Sequence, residues 1–122
     1  MDYKNRIKSF GFAFKGIKTL VQTQENAQIH LFAIVLVTIV GFLFKIDKTE
    51  WSIVIIAFAM VLAAEAFNTA IEFVVDLVSP DYHPLAGKAK DVAAAAVLIT
   101  AMGAILIGCI IFLPKIMGLF QK

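Results

Sequence analysis

The chain offers little of what soluble enzymes build sites from: one cysteine, two histidines and three prolines. Cys109 stands alone in an apolar run. That excludes an intrachain disulfide and a cysteine-based metal site, and leaves a small buried apolar residue as its reading. His30 and His83 have no nucleophile elbow beside them, so Ser-His-Asp hydrolysis finds no support, and both read as helix-end or loop residues. The phosphate cradles of soluble nucleotide enzymes are missing as well. Gly87-Lys88 is followed by Ala89, with no G-x-x-x-x-G ahead of it, and neither G-x-G-x-x-G nor a kinase catalytic loop occurs. Charge is scarce at 16%, with a formal net charge of +2 and no basic stripe interleaved with aromatics beyond the first segment. A nucleic-acid partner is therefore not expected. No linker, low-complexity tract or internal repeat divides the chain, which reads as one domain over residues 1–122. The first twenty residues spread their charge along the segment instead of placing it before an apolar core, so secretion is not expected.

Apolar residues, by contrast, make up 61% of the sequence, against about 45–50% in soluble proteins. In the first segment Ile7, Phe10, Phe14, Ile17 and Val21 recur at steps of three and four, while Lys4, Lys8 and Lys15 share another face. This pattern predicts an amphipathic helix over about 3–22, suited to the membrane interface or to packing its Phe face on a bundle. Three longer apolar stretches follow, predicting spans over about 28–45, 51–78 and 91–113. The second connection, "SPDYHPLAGKAKD", contains Pro80, Pro84 and Gly87, which break the helical pattern. The expected fold class is an all-α integral membrane protein: an N-terminal amphipathic interfacial helix followed by three transmembrane helices.

Three spans put Lys4, Arg6, Lys8, Lys15, Lys18, Lys88 and Lys90 on one side, and Lys45, Lys48, Lys115 and Lys122 on the other. The positive-inside rule then favours a cytoplasmic N-terminus and second loop, with Trp51 at the outer interface. In the last span Ala96, Thr100, Ala104 and Gly108 repeat every four residues. Such a small-residue face lets helix backbones approach closely, within the chain or in an oligomer.

The informative stretch is "VLAAEAFNTAIEFVVDLVSP". Glu65, Asn68, Glu72 and Asp76 fall within a sector of about 80° on one helix face. An ionised group in hydrocarbon costs at least about 2.5–3.5 kcal/mol, so such residues face a bundle interior or a wet cavity and mark a site. Helix packing through hydrogen bonds needs only one Asn or Glu, and three carboxylates on one face repel unless cations neutralise them. Two functional readings remain: a proton or ion relay, and a phosphotransferase in which some carboxylates bind Mg²⁺ and one acts as base toward an alcohol. A relay should cross the bilayer, yet no ionisable residue lies between Leu31 and Phe44 or between Val92 and Leu113. A site open to the cytosol on one side and to lipid on the other suits chemistry that joins a soluble reactant to an embedded one. Lys90 could meet a phosphate at the start of the last helix, or the Lys90-Asp91 pair could be a solvated end with Asp91 as N-cap.

The stretch "EAFNTAIEFVVD" followed by "YHPLAGKAKDVAAAAV" resembles the bacterial diacylglycerol kinase and undecaprenol kinase family of small three-helix membrane enzymes. The shared pattern is E-x-x-N-S/T-A-I-E-x-x-V-D and then a loop ending in A-K-D, with a further match at "FKG", Phe14 to Gly16. The resemblance implies phosphorylation of a lipid hydroxyl by MgATP, with Mg²⁺ as cofactor and ATP as co-substrate. It further implies a homotrimer with shared sites in the bacterial inner membrane, a multi-pass protein with its N-terminus in the cytoplasm. Carried over by motif, Glu65 falls on the catalytic base, Glu72 on a metal ligand, and Asn68 and Asp76 on the active-site polar face. Asp81, Tyr82, His83, Lys90 and Asp91 fall on nucleotide-contacting positions. A second metal-binding Glu in the family matches Gln24 here, within "QENAQIH", and Glu25 stands next to it. Glu25 is the available second carboxylate, turned by about 100° from the family's position. "HPLAGKAKD" and "FLPK" lean toward undecaprenol as acceptor, whereas "YH", "L" and "G" in the loop also match diacylglycerol kinases. A small ion-coupled transporter or membrane assembly protein using the same carboxylates is the rival expectation.

Overall fold

The computed structural model describes residues 3–122, which form four helices: α1 (Tyr3–Thr23), α2 (Glu25–Leu43), α3 (Lys48–Val78) and α4 (Pro84–Phe120). α2, α3 and α4 are each long and apolar enough to cross a membrane. Most of their large side chains are exposed, Phe42 at 70% and Ile110 at 74% among them. Apolar surface on that scale is stable only against lipid or further protein, so the chain is a membrane protein.

A single residue separates α1 from α2. Gln24 takes an extended backbone (φ −111°, ψ 109°), and the break leaves carbonyls at the end of α1 without helical donors. Gln28 repairs part of this from the next helix, its Nε2 donating to the Val21 carbonyl at 2.9 Å. Ala27, fully buried, lets α2 set off close against its neighbours.

The turn from α2 to α3 is heavily fastened. Lys45 sits at φ +52° in the left-handed region, while its N–H donates to the Phe42 carbonyl and that of Ile46 to the Gly41 carbonyl. This is a Schellman ending with lysine where glycine is usual. Asp47 then caps α3: its Oδ1 accepts from the Glu50 N–H, and Glu50 Oε2 accepts from the Asp47 N–H, both at 2.9 Å, a reciprocal capping box. The other Glu50 oxygen pairs with Lys115 of α4 at 3.0 Å. Beneath these contacts Ile46, Val54, Ile111 and Phe112 form the buried apolar cluster.

Gly41 lies under the Trp51 indole, which also packs at a tilt against Phe42 with centroids 4.9 Å apart. A Cβ at Gly41 would stand 2.7 Å from Trp51 Cη2. Gly41→Val therefore forces the ring out of place, at an overpacking cost of about 1–3 kcal/mol. Because Trp51 is the only tryptophan, its fluorescence reads the change directly. The variant is expected to melt earlier in detergent with a shifted emission maximum, and an unchanged spectrum would contradict this packing.

α4 begins at Pro84, earlier than the sequence pattern places it. Proline suits the first helical turn, where its missing N–H costs nothing, and His83 is the N-cap, its Nδ1 accepting from the Leu85 N–H at 3.1 Å. Gly87 is helical, its N–H bonded to the His83 carbonyl. The connection thus shrinks to Ser79–His83, braced by Ser79 Oγ donating to the Asp81 carbonyl, and Lys88, Lys90 and Asp91 ride on α4. Asp91 is accordingly not the N-cap. The helix also continues through Pro114 to Phe120.

Candidate active site

α3 packs chiefly on α4 and more lightly on α2 and α1, and its polar face meets His30 of α2 and Lys90 of α4. Along that face burial falls steadily: Glu65 is 1% exposed and Asn68 6%, Glu72 is half-buried and Asp76 exposed. Asn68 Nδ2 donates to Glu72 Oε1 at 3.3 Å, which holds the carboxylate one turn away. Glu65 Oε2, Asn68 Oδ1 and Thr69 Oγ1 are buried without a hydrogen-bond partner. A buried polar atom left unpaired costs about 1–3 kcal/mol, and three on adjacent turns mark a place that a ligand completes.

Two residues of this cluster carry no assigned role in the sequence, although Thr69 stands at the S/T position of the shared pattern and His30 closes "QENAQIH". Thr69 is one. The hydroxyls of Thr19, Thr23, Thr38 and Thr100 all donate to the carbonyl four residues back, the usual outlet for a helical threonine; Thr69 has no such bond and lines a cleft against α1. The signal was its place beside Asn68 within the acidic face. His30 is the other: one turn inside α2, its Nε2 stands 3.9 Å from Glu65 Oε2. Read as a helix end it carried no message, because the approach of α2 to α3 is not written in local periodicity.

Glu65 lies between two unlike spaces. On one side, beyond Val61, an apolar cavity of about 290 Å³ runs between α2, α3 and α4, with His30 at one end and Phe112 in its lining. On the other, the face continues through Glu72 to a cleft of about 200 Å³ lined by Asp76, Ser79, Asp81, Tyr82, His83 and Lys90. Lys90 forms an ion pair with Asp76 across α3 and α4, which fixes a cation at the edge of the cleft. The structure thus gathers four of the five expected nucleotide-contacting residues around one cleft; Asp91 does not line it.

Glu25 occupies the first position of α2 and is exposed, where a negative charge favours the helix N-terminus. Among the described residues no group of three or more His, Cys, Asp or Glu side chains gathers at metal-ligating distance. The fit to Mg²⁺ rests instead on oxygen atoms. The Glu72 carboxylate is a hard donor held by the Asn68 amide N–H, and the Asn68 Oδ1 is a second, unpartnered oxygen on the same residue; Mg²⁺ takes one or two carboxylates and completes its shell with phosphate and water.

Fold and site together define a small multi-span membrane protein whose buried carboxylate lies, along α3, between an apolar cavity and a polar cleft. A family model described as prokaryotic diacylglycerol kinase matches residues 11–112. The chain is 41% identical to an undecaprenol kinase of Bacillus subtilis, over 94% of this chain and 97% of the relative. It is 37% identical to a diacylglycerol kinase of Synechocystis, over 94% of this chain and 66% of the relative. With a diacylglycerol kinase of Escherichia coli the identity is 31%, over 86% of both chains. The chain belongs to the prokaryotic diacylglycerol kinase family and is by that membership a lipid kinase.

Proposed function

We propose that the chain transfers the γ-phosphoryl group of ATP to the hydroxyl of a membrane lipid alcohol at the cytoplasmic face of the inner membrane. The observation that carries this reading is Glu65: a buried carboxylate with an unpartnered oxygen, next to Val61 and His30, which line the apolar cavity, on the helix face that leads to the polar cleft. A lipid chain suits the cavity and a nucleotide the cleft, so the acceptor hydroxyl and the phosphates meet along the Glu65-to-Asp76 face. Position along α3 supports the interfacial placement. At 1.5 Å per residue Glu65 lies about 26 Å from Lys48 and Asp76 about 42 Å, against a hydrocarbon core of about 30 Å.

Glu65 receives the hydroxyl proton as the oxygen attacks the γ-phosphorus and the bond from that phosphorus to the β–γ bridging oxygen breaks, releasing ADP. Glu72, steadied by Asn68, would be the principal ligand of Mg²⁺, with Glu25 as the further carboxylate. Mg²⁺, when bound, would supply positive charge against the phosphates. Lys90 exchanges Asp76 for phosphate as nucleotide enters, and Asp81, Tyr82, His83 and Asp91 complete the nucleotide's surroundings. α1 lies in the interface with Ile7, Phe10 and Phe14, all exposed in the single chain, turned to the acyl layer. A homotrimer covers the open flanks of α2 and α4, and the N-terminus is cytoplasmic.

The relay reading is weakened by the cavity beyond Glu65, which His30 borders but no carboxylate or lysine lines. The test is transfer of radiolabel from ATP to lipid by purified protein, with undecaprenol and a diacylglycerol assayed side by side. The 41% relative is named undecaprenol kinase, so the polyprenol is expected to be labelled at the higher rate. Label in neither lipid would reject the kinase reading in favour of a transporter or assembly protein, and faster labelling of diacylglycerol would reverse the acceptor.

A further inference from the structure

We propose that His30 is a positioning residue for Glu65, its Nε2–H holding one oxygen of the buried carboxylate so that the other meets the acceptor hydroxyl. The inference rests on Glu65 being the base. Glu65 is 1% exposed and its Oε2 has no hydrogen-bond partner. Its neighbours on α3 do not fill that role: Asn68 spends an amide N–H on Glu72, and Glu72 repels a second carboxylate. The group that approaches Oε2 from another helix is the His30 imidazole, 3.9 Å away with its side chain 21% exposed.

That separation is too long for a hydrogen bond, and a movement of about 1 Å closes it. Contacts of this kind are often loose without substrate and tighten in the complex. His30 also borders the apolar cavity, so a lipid chain filling that space would press on the imidazole side of the pair. Occupancy of the cavity and alignment of the carboxylate are thereby linked through one side chain. The effect is confined to Glu65 orientation, which sets kcat, whereas the nucleotide cleft lies further along α3 and does not include His30.

Steady-state kinetics of His30→Ala, His30→Gln and Glu65→Gln, with ATP and lipid varied in turn, test this. His30→Ala is expected to lower kcat about 100-fold, the scale of a misplacement of about 1 Å, with the KM for ATP unchanged. His30→Gln keeps a neutral N–H donor and should recover most of the loss; it also keeps the test open if the alanine variant fails to fold in detergent. Wild-type kcat in His30→Ala, equal losses in both His30 variants, or a raised KM with normal kcat would each overturn the assignment. Full activity in Glu65→Gln would remove the base itself, whereas an inactive Glu65→Gln beside an unaffected His30→Ala rejects the positioning role alone.

Discussion

Glu65→Gln is expected to reduce phosphoryl transfer by about 10²–10⁴-fold, the usual contribution of a positioned base, while the protein still inserts and assembles. The substitution keeps the shape of a fully buried side chain and removes only its capacity to take a proton. Stability should hold or improve, because a neutral amide is less costly than a carboxylate in a low-dielectric interior. Loss of activity with a preserved melting midpoint therefore separates catalysis from folding. Transfer at the wild-type rate would show that the buried carboxylate serves some other purpose.

Glu72→Gln is the second large expected effect, a loss of about 10²–10³-fold, typical where a preorganised charge facing the transition state is removed. The Asn68 contact survives, since Gln also presents an oxygen to Asn68 Nδ2 at the 3.3 Å position. The local helix face is thus preserved and the change falls on the hard-donor set. Calorimetric titration of Mg²⁺ with a non-hydrolysable nucleotide should show weakened metal-dependent binding, and chelation should abolish activity of the unmodified protein. A variant that binds metal and nucleotide normally would move the metal elsewhere. The Glu25 carboxylate would then come first.

The spans and the acidic face were legible because both are local. Apolar length declares a membrane helix, and a polar residue every three or four positions within it declares a face. The single-residue break at Gln24 was not, since neither proline nor glycine marks it and Gln28 stabilises it by reaching back to Val21. The start of α4 was misjudged because Pro84 and Gly87, read as interruptions, are an opening residue and an ordinary helical one. His30 and Thr69 needed the neighbouring helices in place, as their meaning lies in which atoms they face. Which lipid is the acceptor was not legible either, because loop residues matching both branches occur together.

The turn between α2 and α3 gives the molecule unequal stiffness along its length. At that rim a Schellman ending, a capping box, an interhelical ion pair and a packed indole bind three helices within a few residues. At the opposite rim one surface ion pair spans α3 and α4, and exposed pairs of this kind contribute at most about 1 kcal/mol. The fastenings between helices are thus concentrated at one rim, and local opening is expected to cost least at the other, where the carboxylates stand.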